Sequence, residues 1–177
     1  LFRSPLTGAL LAAAEHGLVA CLDMKAGVVW RTDNCSNIGS LAVDGSGDVV
    51  LLACFGHGVL RVNGEGAREG AYRYDYSPSL AAVDFEGATL VAASLEKHLT
   101  QLSFTGTIQG DCVLPARPVG LALDALGRYA VTAFENGELR LSPLPDVFRR
   151  KDAGGAAADR KSTRLNSSHL VISYAVF

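Results

Sequence analysis

Two histidines are the first residues of this 177-residue chain whose type and setting could do chemistry. His16 stands in "EHG" and His57 in "GHG", each a short polar break between apolar runs. A neutral imidazole ligates metals and an imidazolium holds anions, so two of them on one loop face make a candidate ligand-binding pair. Two ligands fall short of the three that a catalytic metal uses, and polar residues suit hairpin tips in any case. Glu15, Glu135 and Glu138 lie near similar breaks, either as solvated charge or as part of a binding rim. Asp44, Asp84 and Asp124 are a second set, which as a ring of carboxylates could line a channel. Each is followed three residues on by glycine: Gly47, Gly87 and Gly127. That is turn chemistry, since Asp accepts backbone N–H bonds and Gly supplies the left-handed conformation. "GEGAREG" is glycine-rich, yet no helix follows to cradle a phosphate. No nucleophile elbow and no H-E-x-x-H occurs. No catalytic set, metal site or cofactor is read from these residues.

Cys21, Cys35, Cys54 and Cys112 form no C-x-x-C pair. Cys21 and Cys54 read as small apolar fillers of strands, while four cysteines leave three disulfide pairings open. Apolar residues are 49% and charged residues 19%, the balance of a globular chain. A formal charge of −2 offers no basic field for phosphate backbones, so no nucleic-acid partner is expected. No apolar run approaches the ~18 residues of a membrane helix, so no membrane segment is expected.

The elements that would position these residues recur at one step. "LAVDGSG" from Leu41, "AAVDFEG" from Ala81 and "LALDALG" from Leu121 start 40 residues apart. Ala13, Ala53, Ala93 and Ala133 fall in a column of the same step, as do Pro78 and Pro118. Each unit reads as a short apolar strand, an Asp-x-x-Gly corner, an apolar run such as "DVVLLACF", a polar tip, a third strand and a more polar fourth. Forty residues and four antiparallel strands are the period of a β-propeller blade. Recurrent alanine in a strand points to crowding between neighbouring sheets, because alanine is a poor strand former. The expected fold is all-β, a partial propeller of about four blades over residues 5–144, its ring not closed. The blades fall at about 5–34, 35–77, 78–117 and 118–150, with the first entered at its second strand. "DVFRRKD" reads as the outer strand of the fourth blade, and 145–158 as outer strand or linker. Tyr72, Tyr74 and Tyr76 alternate along one face of an outer strand, as packing on the next blade or as a contact patch.

The two ends differ in character. Codons can be chosen so that Asp159–His169 and Ile172–Phe177 spell a common short-read sequencing adapter. Leu1–Ser4 resembles the tail of the opposite one in the same way. Residues 1–4 and 159–177 are therefore expected to be adapter-derived. The insert would then be residues 5–158, with 12 basic against 17 acidic residues.

The repeat grammar over roughly Leu6 to Leu144 resembles the broad superfamily of WD40-like, YVTN-type and quinoprotein-like propellers. "LVACLDMKAGVVW" is similar to a stretch of quinoprotein blades in which Trp30 would dock between blades. No blade carries the Trp-Asp dipeptide of WD40 repeats, and quinone binding is not inferred. The resemblance implies a non-catalytic scaffold whose loop face holds a protein or peptide partner. The alternative is part of a propeller enzyme, a lactonase-like hydrolase or quinoprotein dehydrogenase, completed by further blades. A partial ring leaves two sheet faces bare, so the chain is also expected to self-associate.

Overall fold

The fold is seen in a computed structural model that describes residues 2–3, 8–33, 37–73, 75–144 and 163–164. The first sheet holds β1 (Phe2–Arg3), β2 (Leu10–Ala13), β3 (Val19–Leu22) and β4 (Val28–Thr32). The second holds β5 (Ile38–Val43), β6 (Val50–Cys54), β7 (Gly58–Val62) and β8 (Arg68–Tyr72). The third holds β9 (Pro78–Val83), β10 (Thr89–Ser94), β11 (His98–Ser103) and β12 (Ile108–Val113). The fourth holds β13 (Pro118–Leu123), β14 (Tyr129–Phe134), β15 (Glu138–Pro143) and β16 (Thr163–Arg164). Strand order within each sheet is chain order, so every sheet is an antiparallel meander.

Register repeats with the sequence. Leu41 faces Leu52 across β5–β6, Ala81 faces Ala92 across β9–β10, and Leu121 faces Thr132 across β13–β14. Pro78 and Pro118 begin β9 and β13, where a missing backbone donor is tolerated. The apolar runs are explained by burial on both faces. All five residues of β6 are buried, because one sheet lies on each side of it.

Cores lie between sheets rather than within one. Leu11, Val19 and Cys21 pack on Leu41, Val50, Leu52 and Leu60 between the first and second sheets. Ala42, Leu51, Ala53 and Val59 pack on Ala81, Leu90, Ala92 and Leu102 between the second and third. Val91, Ala93 and Leu99 pack on Ala130, Phe134 and Leu144 between the third and fourth. Ala53 and Ala93 are fully buried in these seams, where the small side chain lets the sheets approach.

Two details depart from the sequence reading. The first sheet has a fourth strand, β1, formed by two residues through backbone pairing with Leu10 and Leu11. In the fourth sheet β15 pairs with Thr163–Arg164, while "DVFRRKD" lies outside the described residues. Among the described residues the sheets form no closed ring, and no helix is long and apolar enough to cross a membrane.

Candidate functional site

The corner aspartates organise one end of the second, third and fourth sheets. Asp44 Oδ1 accepts the Gly47 N–H at 2.7 Å and the Val49 N–H at 3.2 Å. Asp84 Oδ1 accepts the Ala88 N–H at 2.8 Å, and Asp124 Oδ1 accepts the Tyr129 N–H at 2.7 Å. Gly47, Gly87 and Gly127 have φ of 85°, 73° and 63°, which favours glycine. The corners also touch one another. A Cβ on Gly127 would lie 2.7 Å from Asp84 Oδ2, and one on Gly87 would lie 3.3 Å from Asp44 Oδ2. The Gly45 N–H donates to Phe85 O at 2.9 Å, and the Phe85 N–H donates to Ala125 O at 3.1 Å. Each corner therefore sits on the one before it. Burial opposes ionisation of Asp124, but the Tyr129 and Arg128 N–H donors and the Arg128 charge outweigh it, holding the carboxyl below its usual range.

A second column of turns follows the same step and was not read from sequence. Asp23 accepts the Lys25 and Gly27 N–H groups, Asn63 those of Glu65 and Ala67, and the Ser103 hydroxyl that of Thr107. Onto two of these turns the preceding sheet drives an aromatic peg. Trp30 Nε1 donates to Gly64 O at 2.8 Å, and Tyr72 Oη donates to Phe104 O at 2.8 Å. A Cβ on Gly66 or Gly106 would meet those rings at 2.7 and 2.6 Å.

The expected row of three tyrosines is not formed. Tyr72 is buried at the end of β8, Tyr74 lies outside the described residues, and Tyr76 belongs to the connection into β9. The strand stops too early for the alternation to continue. Tyr76 instead stacks on His98, ring centroids 3.6 Å apart. His98 Nδ1 lies 2.9 Å from Asp111 Oδ2, and Thr100 Oγ1 donates to Asp111 Oδ1 at 2.8 Å. Here the carboxylate accepts from both neighbours. A nucleophilic relay would instead place the imidazole between hydroxyl and carboxylate. Glu96 accepts the Ser77 N–H at 3.0 Å, tying the same connection to the third sheet.

His16 and His57 are exposed in corresponding hairpins, β2–β3 and β6–β7. His16 precedes Gly17 and His57 precedes Gly58, both with positive φ. No group of three metal-ligating side chains occurs among the described residues. Cys21 and Cys112 are free thiols, Cys54 is buried in β6, and Cys35 lies outside the described residues. Burial, then the charge of Asp111, push the Cys112 thiol up to about 11 against the opposing pull of Arg140. At the corner end, a cleft of about 790 Å³ opens between the first and second sheets, lined by Leu11, Cys21, Met24, Asp48 and Glu65 among others.

No family model and no curated protein matches the sequence. Solved structures do resemble the fold. The β-propeller domain of Cps50 (Swd1) from Myceliophteria thermophila superposes with a TM-score of 0.69 at 18% identity, covering 83% of this chain and 54% of that one. BBS1N, solved in complex with ARL6DN, superposes with a TM-score of 0.65 at 14% identity, covering 80% of this chain and 49% of that one. The fold is that of a β-propeller, and the chain spans about half the length of these two.

Proposed function

We propose that these blades belong to a protein- or ligand-binding scaffold, non-catalytic as it stands, whose hairpin face receives a protein or peptide partner. The observation that carries this reading is a row of exposed hairpin tips held on rigid seams: Glu15–His16, Gly56–His57, Glu96–Lys97 and Glu135–Asn136. Apolar packing and backbone bonds between sheets fix the spacing of these tips, which lowers the entropy cost of engaging several at once. His16 and His57 are the side chains assigned to contact a partner or ligand. BBS1N shows that a fold of this kind carries a protein partner, ARL6DN. No nucleic-acid partner is assigned, since the net charge is −2. The bare ends of the array are assigned to self-association, and residues 1–4 and 159–177 to sequencing adapter. Genomic DNA that continues through codon 159 with the same residues refutes the adapter assignment.

The test is selection of peptides from a random displayed library on the immobilised chain, followed by calorimetry. His16→Ala/His57→Ala is expected to weaken the selected peptides at least tenfold, while Met24→Ser on the opposite end leaves them unchanged. Equal affinity for both variants, or no saturable binding, rejects the hairpin face as the site.

A further inference from the structure

The hairpins β2–β3, β6–β7, β10–β11 and β14–β15 each contain one residue in the left-handed region. In three of them it is a glycine: Gly17 at φ 109°, Gly58 at 82° and Gly137 at 81°. In β10–β11 it is Lys97, at 66°. Lys97 holds the same place in its turn as Gly17 and Gly137, because their N–H groups donate to the carbonyls of Ser94, Ala14 and Phe134 respectively. A residue with a Cβ is strained in this conformation, where glycine is not. Lys97 is exposed, and among the described residues its ammonium group makes no hydrogen bond or ion pair that would offset the strain. The acids around it are already engaged. Glu96 accepts the Ser77 N–H, and Asp111 is held by His98 and Thr100. Arg117 and Glu135 follow in the next connection and tip, both exposed, and offset one another. Leu95 in the same hairpin is 36% exposed, and Val113, which pairs with His98 across β11–β12, is 70% exposed. The third tip thus presents a cation beside two apolar side chains.

We infer that Lys97 is a binding residue, kept in a strained turn because its ammonium receives a carboxylate of the partner. The occupant is an extended acidic peptide in which Asp or Glu stands next to an apolar residue. The unengaged ammonium calls for an anion, and the apolar surface of Leu95 and Val113 beside it calls for a peptide rather than a small ion. Strain of this kind persists where binding or chemistry needs the conformation. The inference rests on the hairpin-face reading above and names the chemistry of its partner.

The test sequences the peptides selected on the immobilised full chain and measures them on variants of one residue. The selected peptides should be enriched in Asp or Glu beside an apolar residue. Lys97→Gln removes the charge and keeps a side chain of similar reach. It should weaken these peptides about fivefold, the measure of an exposed ion pair, with an unchanged urea midpoint. Lys97→Gly should weaken them equally and raise the urea midpoint, because the strain is gone. Lys97→Arg should keep the affinity. Peptides without acidic enrichment, full affinity in Lys97→Gln, or a urea midpoint that Lys97→Gly leaves unchanged or lowers each overturns the inference. Peptides lost in His16→Ala/His57→Ala yet indifferent to Lys97→Gln sink this inference alone and leave the hairpin face standing. A chain that selects no saturable peptide sinks both.

Discussion

Asp124 shows how much a single corner residue does. Its carboxylate closes its own turn through the Arg128 and Tyr129 N–H groups, and its pKa is depressed in the folded chain. A depressed folded pKa stabilises fully above the unfolded value and is lost as pH falls through the folded one. Stability should therefore drop below about pH 4. Asp124→Asn should flatten that drop, read as the urea midpoint at pH 3, 5 and 7; an unchanged pH slope refutes the assignment. Gly127 carries two constraints, a φ of 63° and a lack of room, since a Cβ there would meet Thr89 and Asp84 of the previous sheet. Gly127→Ala is expected to cost about 1–3 kcal/mol, measured by urea unfolding. The raised Cys112 thiol is neutral at pH 8. Its alkylation, followed by peptide mass spectrometry, should run roughly a hundredfold slower than that of an unperturbed thiol. The corner column was legible in sequence because its chemistry is local and one residue type does it. The second column was not, because Asp23, Asn63 and Ser103 share a function without sharing a letter.

At the scale of elements, the outer strands lock by pegs as well as by apolar packing. Tyr72→Phe keeps the ring against Gly106 but removes the donor to Phe104 O. The expected cost is about 0.5–1.5 kcal/mol in urea unfolding, against about 2–5 kcal/mol for Leu52→Ala in the first seam. A larger loss for Tyr72→Phe than for Leu52→Ala would mean that hydrogen bonds rather than burial hold the sheets. Strand order and turns followed from apolar runs and breakers. Strand ends did not, so Tyr76 was assigned to an outer strand that stops at Tyr72. The His98–Asp111–Thr100 group was equally hidden. Thr100 and Asp111 face each other only through the β11–β12 register, which spacing in the sequence does not supply.

For the molecule as a whole, the period of 40 gave the architecture, because each blade repeats the same burial on both faces. The candidate binding face was legible only as two histidines in matching hairpins. Any contact at that face depends on residues from several blades, and one chain's letters do not encode a partner's shape. The seams carry one more consequence. Since among the described residues each sheet docks on its neighbours through the same rows, the chain behaves like a stack of interchangeable tiles. Removing residues 78–117 in one piece would bring the second sheet against the fourth across a joint of familiar shape. A gene built this way can gain or lose blades by slipping a whole unit, without inventing a new way to pack.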